Sequence, residues 1–102
     1  MTALHRLATT IAARRNADPT TSWTAKLLSQ GPEACARKFG EEATEAIFEA
    51  IKGDRAALTR EAADVLYHLL VMLAANDVTL QDVEAELAHR EGTSGLAEKA
   101  NR

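Results

Sequence analysis

One Trp, one Tyr, two Phe, five Gly, two Pro and one Cys in 102 residues are what this chain has little of. Each scarcity excludes something. A β-sheet draws on aromatic and β-branched residues, so so few aromatics argue against one. With few helix breakers and abundant Ala and Leu, the chain reads as all-α. A lone Cys35 permits no intramolecular disulfide and suits a reducing compartment, so a cytoplasmic location is expected. There is no run of about 18 apolar residues to span a bilayer. No basic block is present either, and the formal charge is −3, which points away from nucleic acid. The start, "MTALHRLATTIAARRN", lacks the compact apolar core and cleavage site of a signal peptide. Also missing are a Gly-rich phosphate loop, a GxSxG elbow and zinc-type Cys/His spacing.

What is present is helical punctuation. Thr2 can cap a helix over Ala3 to Arg15, with Leu4, Leu7 and Ile11 on one face. "NADPTTS" breaks it at Pro19. Ser22 caps a short second helix, "WTAKLLSQ", that stops at Gly31. Pro32 opens a third, with Cys35, Phe39, Ala43, Ala46, Ile47, Ala50 and Ile51 on its apolar side. Gly53 ends it and Asp54 caps a fourth, from about Arg55 to Ala75, so the two form a tight antiparallel hairpin. Thr79 with Asp82 resembles a capping box for a last helix carrying Leu80, Val83 and Leu87, closed by Gly92. Residues 1–91 thus read as one domain. The tail over 92–102, "GTSGLAEKANR", has too little apolar content to pack and is expected to be loose. A small domain whose fourth helix is apolar on every side from Val65 onward often completes its core by association, so a homodimer is expected.

The chemistry lies in the acids. Helix three carries Lys38, Glu41, Glu42, Glu45 and Glu49 at steps of three and four, hence in one stripe. Helix four answers with Glu61 and Asp64. Glu45 and Glu61 are nearly equidistant from the turn at Gly53-Asp54, so the two acidic sets can face each other. Like charges so arranged repel, and Asp64, beside an apolar run, is expected to need compensation on burial. A solvated acidic face is one reading. The other is a divalent cation, and oxygen-only ligands suit Mg²⁺, or Mn²⁺ in its place, better than Zn²⁺. Mg²⁺ commonly meets substrate phosphates, which suggests phosphoester or anhydride chemistry. Lys38, Arg14, Arg15 and Lys26 are either solvated charges or phosphate clamps. His68 and Tyr67 read as core residues with one polar contact each, and Cys35 as inert packing.

These residues also carry a resemblance. "EATE" (Glu42 to Glu45), fifteen residues, then "EAAD" (Glu61 to Asp64) resembles the ExxE…ExxD signature of the all-α nucleoside triphosphate pyrophosphohydrolases, the MazG-like superfamily. Within it, "SWTAKLL", "KFGEEATEA" and "EAADVLYHLLVML" resemble the phosphoribosyl-ATP pyrophosphatases of histidine biosynthesis, from about Leu4 to Arg90. The resemblance implies hydrolysis of phosphoribosyl-ATP to phosphoribosyl-AMP and pyrophosphate with Mg²⁺, by a homodimer of helical hairpins packed as a bundle. It places metal ligation on Glu42, Glu45, Glu61 and Asp64, with Glu41 the next candidate, and a phosphate contact on Lys38; a carboxylate not fully used in coordination, Glu41 or Glu42 by position, is the expected general base. Ser22 and Thr24 match an "SYT" segment near the substrate, with Trp23 where the family has Tyr; Arg14 and Lys26 are further candidates for the substrate. Many relatives carry a cyclohydrolase domain, whose Cys/His ligands are missing here. Two rivals stay open: a house-cleaning (d)NTP pyrophosphohydrolase and a non-catalytic dimerisation module.

Overall fold

A computed structural model describes residues 1–92 together with Gly95 and Lys99. Among the described residues five helices follow one another: α1 (Ala3–Ala13), α2 (Trp23–Ser29), α3 (Pro32–Lys52), α4 (Arg55–Ala75) and α5 (Leu80–His89). No strand occurs among the described residues. The expected loose tail over 92–102 falls, apart from Gly92, Gly95 and Lys99, outside them.

The helix ends follow local chemistry. Thr2, Ser22 and Asp54 each accept the backbone N–H three residues on, from His5, Ala25 and Ala57. Such side chains satisfy an amide that the first helical turn leaves without a partner. Thr79 and Asp82 form the reciprocal capping box that opens α5. Pro32 sits in the first turn of α3, and Gly53 closes that helix at φ 76°, a left-handed conformation that costs glycine nothing. At the C-terminus of α1 the helix stops two residues before the expected Arg15, with Arg14 as its cap. Arg15 is turned instead onto the end of α4, donating to the Ala74 carbonyl and pairing with Asp77 at 3.2 Å.

The framework is the α3–α4 hairpin, two helices of 21 residues, each about 31 Å long at 1.5 Å per residue. α1 and α2 pack against α4, and α2 also against α3. Where they meet, Ile11, Leu27, Cys35, Leu70 and Val71 form the buried core. Each of these aliphatic side chains contributes about 1.5–3 kcal/mol by leaving water. Cys35 is 1 % exposed, and its Sγ donates to the Leu27 carbonyl at 3.2 Å, tying α3 to α2.

The far half of the hairpin is left uncovered. Ile47, Phe48 and Ile51 on α3 and Leu66 on α4 are exposed, Ile51 by 77 %. Accordingly the expected apolar face of α3 splits: its Cys35 end is buried in the core, while Ile47, Phe48 and Ile51 toward its other end stay exposed among the described residues. The radius of gyration, 15.5 Å, exceeds the roughly 13 Å of a closed-up chain of this length. Among the described residues, no single helix is long and apolar enough to cross a membrane.

Candidate active site

Antiparallel pairing across the Gly53-Asp54 turn brings the two acidic sets together. One carboxylate oxygen from each of Glu42, Glu45 and Glu61 lies within 4.8 Å of the other two. Their environments differ. Glu42 is only 9 % exposed, Glu61 is half-buried, and Glu45 is open to solvent. Glu61 Oε2 is buried and has no hydrogen-bond partner. A carboxylate with a buried, unpaired oxygen beside two other carboxylates is unfavourable on both counts, desolvation and repulsion. A hard divalent cation with oxygen ligands removes both costs, and this donor set fits one.

Around the trio stand two nitrogen groups. Lys38 Nζ is 3.5 Å from Glu41 Oε2 and 3.5 Å from Glu42 Oε1. Burial presses the Lys38 ammonium toward neutrality, but Glu41 and Glu42 outweigh it, and the pKa lies above the ordinary lysine value. His68, buried on α4, has Nε2 3.9 Å from the same Glu42 oxygen. Burial is the largest influence on His68 and holds its pKa below the ordinary histidine value, although Glu42 pulls the other way. The imidazole is therefore predominantly neutral at pH 7.

The remaining sequence candidates are spread around this centre. Asp64, one turn after Glu61, is exposed and stands outside the trio. The carboxylates withdrawn from water are Glu42 and Glu61, so the expectation that Asp64 needs compensation for burial is corrected. Helix rotation explains it: Glu61 and His68, seven apart, share the line that faces α3, and Asp64 is offset from it. Glu41 is exposed and held by Lys38. Glu49 is drawn away toward Lys52 at 3.3 Å, so the stripe on α3 converges only at Glu42 and Glu45.

On α2, the Ser22 hydroxyl caps the helix, and the Thr24 hydroxyl meets the Tyr67 hydroxyl at 2.5 Å. The Tyr67 ring stands edge-on to His68, centroids 4.9 Å apart, so "SWT" is linked to Glu42 through two neighbours on α4. The sequence signals "ADVLYH" as a unit, but the Tyr67–Thr24 pairing has no signature in spacing. Trp23 is 54 % exposed with Lys26 Nζ 5.7 Å above its ring, beside a shallow hollow lined by Pro19, Thr20, Thr21 and Ser22. Arg14 is exposed at the end of α1. A cleft of about 580 Å³ between α1, the end of α4 and the start of α5 is lined by Ile11, Leu70, Leu73 and Leu80. Of the sequence candidates only Arg15, turned onto the end of α4, lines it; the candidate acids, Lys38, Ser22, Thr24, Lys26 and Arg14 do not.

The model of the phosphoribosyl-ATP pyrophosphohydrolase family matches residues 4–91. The chain belongs to this family. Its relatives bear that out along the whole length. It is 75 % identical over 101 residues to the phosphoribosyl-ATP pyrophosphatase of Paracoccus denitrificans, covering 99 % of this chain and 94 % of that protein. The phosphoribosyl-ATP pyrophosphatase of Jannaschia sp. is 74 % identical over 102 residues, all of both chains. That of Dinoroseobacter shibae is 72 % identical, again over both chains in full. The acidic trio sits wholly within the matched span, as do Lys38, Tyr67 and His68.

Proposed function

We propose that the chain hydrolyses the α–β phosphoanhydride of phosphoribosyl-ATP, yielding phosphoribosyl-AMP and pyrophosphate, the second step of histidine biosynthesis. Family membership over residues 4–91 supports the substrate, and the house-cleaning (d)NTP reading has no comparable support. The observation that carries the chemistry is the Glu42, Glu45 and Glu61 trio with its orphaned Glu61 oxygen. An inert dimerisation module has no use for a repulsive, partly buried acidic centre.

In this reading Glu42, Glu45 and Glu61 hold Mg²⁺ (or Mn²⁺), and Asp64, open to solvent one turn along α4, completes the set. The cation would offset the triphosphate's charge and ease deprotonation of water at neutral pH. Glu41 lies outside the trio with its carboxylate largely exposed and paired with Lys38, and in this reading it takes the proton of the attacking water once Lys38 turns to phosphate. Glu42, pressed between Lys38 and His68, is positioned for ligation rather than for proton transfer. Lys38 contacts phosphate oxygens. Ser22 can donate its hydroxyl proton while still capping α2, and with Thr24, Lys26 and Arg14 it contributes to the substrate side.

The active form is a homodimer acting in the cytoplasm. Exposed Ile47, Phe48, Ile51 and Leu66 support this, since large apolar side chains grouped on one hairpin mark an interaction surface. The deciding assay follows pyrophosphate release from phosphoribosyl-ATP, ATP and the dNTPs, with Mg²⁺ or with a chelator. Metal-dependent release that favours phosphoribosyl-ATP is expected. Preference for a plain dNTP would remove the histidine-pathway assignment.

A further inference from the structure

Lys38 faces two ways. Its ammonium lies 3.5 Å from Glu41 and 3.5 Å from Glu42, and Glu42 is also one of the three acids whose oxygens converge. A monovalent cation therefore already stands at the flank of the site, against one of the ligands. The Glu42 carboxylate is nearly buried and also faces His68, so it has little room to serve an ammonium and a divalent ion at once.

We propose that Lys38 is the resident counter-cation of the acidic site: it yields Glu42 when a divalent ion enters, and is thereby freed to meet the substrate's phosphates. This inference rests on the metal-site reading given under Proposed function.

Three features carry it. The residue is lysine, a point charge on a flexible four-carbon stem, not an arginine whose planar fork would grip a carboxylate through two bonds. Its side chain is 35 % exposed, so the ammonium can leave without breaking the core. Finally, it is rooted on α3 one turn before Glu42, so that after release it stays at the mouth of the site. An ammonium there also lowers the repulsion among the acids before any metal arrives, which an uncharged residue cannot do.

The consequence is a split between binding and turnover. Removing the charge takes away a competitor for Glu42 and a phosphate contact together. Mg²⁺ binding to the full chain is measured by calorimetry for wild type, Lys38→Met, Lys38→Gln and Lys38→Arg, with Lys52→Met as control. Lys52 pairs with Glu49 at 3.3 Å, outside the trio. Lys38→Met and Lys38→Gln are expected to bind Mg²⁺ about two- to fivefold tighter, the size of effect a partly exposed ion pair allows. Lys38→Arg should bind it more weakly than wild type. At saturating Mg²⁺, kcat should fall at least about tenfold in Lys38→Met, as for loss of a transition-state contact. Lys52→Met should change neither. Circular dichroism melts establish that each variant is folded, and the Gln variant stands in if the Met variant is not. Unchanged or weaker Mg²⁺ binding in folded Lys38→Gln overturns the proposal while leaving the metal site intact. A wild type that takes up no Mg²⁺ overturns the site itself.

Discussion

Glu61→Gln should stabilise the protein without metal and destabilise it, relative to wild type, with metal. The perturbation keeps the shape of the side chain and removes one charge. In the structure that charge has two like neighbours, Glu42 and Glu45, with oxygens inside 4.8 Å. Coulomb's law at 4.8 Å gives about 3.5 kcal/mol per pair for an effective dielectric constant near 20. Glu45 is exposed, so water and salt screen much of its share. A net gain of about 1 kcal/mol for the metal-free variant is the reasonable figure. For a domain of this size that raises Tm by about 4–8 °C. Mg²⁺ at roughly 100 times its Kd adds about 2.7 kcal/mol to wild type, and most of that is lost when a ligand is weakened. The order of the melting curves therefore reverses between chelator and Mg²⁺. Differential scanning fluorimetry in both conditions reads this directly. A Glu61→Gln protein that melts lower than wild type in chelator, or gains as much from Mg²⁺, would refute the reasoning.

Other consequences follow from residues around the centre. Asp64→Asn lies on the surface, so its stability should stay within about 0.5 kcal/mol of wild type, while pyrophosphate release falls at least about a hundredfold. Loss of fold with full activity per folded molecule would exclude Asp64 as a ligand. Burial raises the Cys35 pKa, so the native thiol should resist alkylation at pH 8 and react only on unfolding; rapid labelling of the native protein would contradict its place in the core. Thr79→Ala removes one half of the capping box and should cost about 0.5–2 kcal/mol in a denaturant melt. The other half sets a pH window. The Thr79 backbone N–H, and then its hydroxyl, hold Asp82 below its ordinary value of 3.8. That contribution is complete above the unfolded value and fades as pH falls through the lower folded one. The difference between wild type and Asp82→Asn should thus be constant at neutral pH and shrink below about pH 4.

Much of this architecture is legible from residue types because helix ends are local. Thr2, Ser22, Asp54, Thr79, Pro32 and Gly53 each act on amides or dihedrals within three residues of themselves, so their roles need no knowledge of the fold. The pairing of Glu45 with Glu61 is legible for a related reason: a short turn fixes the register of an antiparallel hairpin. What spacing leaves open is rotation about the helix axis. Whether Glu61 or Asp64 faces α3 is decided by where Cys35, Leu70, Val71 and Ile11 pack, some distance from the acids. The same packing buries His68 against Glu42 and brings Thr24 to Tyr67, two contacts between residues 26 and 43 apart in sequence. Lys38 could have turned to solvent. Its pairs with Glu41 and Glu42, three and four residues on along α3, are within reach of spacing, but that Glu42 also converges with Glu61 follows only once the hairpin has closed.

If Glu42, Glu45 and Glu61 form a cation site, anomalous diffraction from a crystal soaked in Mn²⁺ will locate the ion there. A peak is expected among those three carboxylates, with Asp64 drawn toward it and Lys38 turned away from Glu42. A peak confined to other acids, or none at a Mn²⁺ concentration that supports pyrophosphate release, would contradict a cation site there.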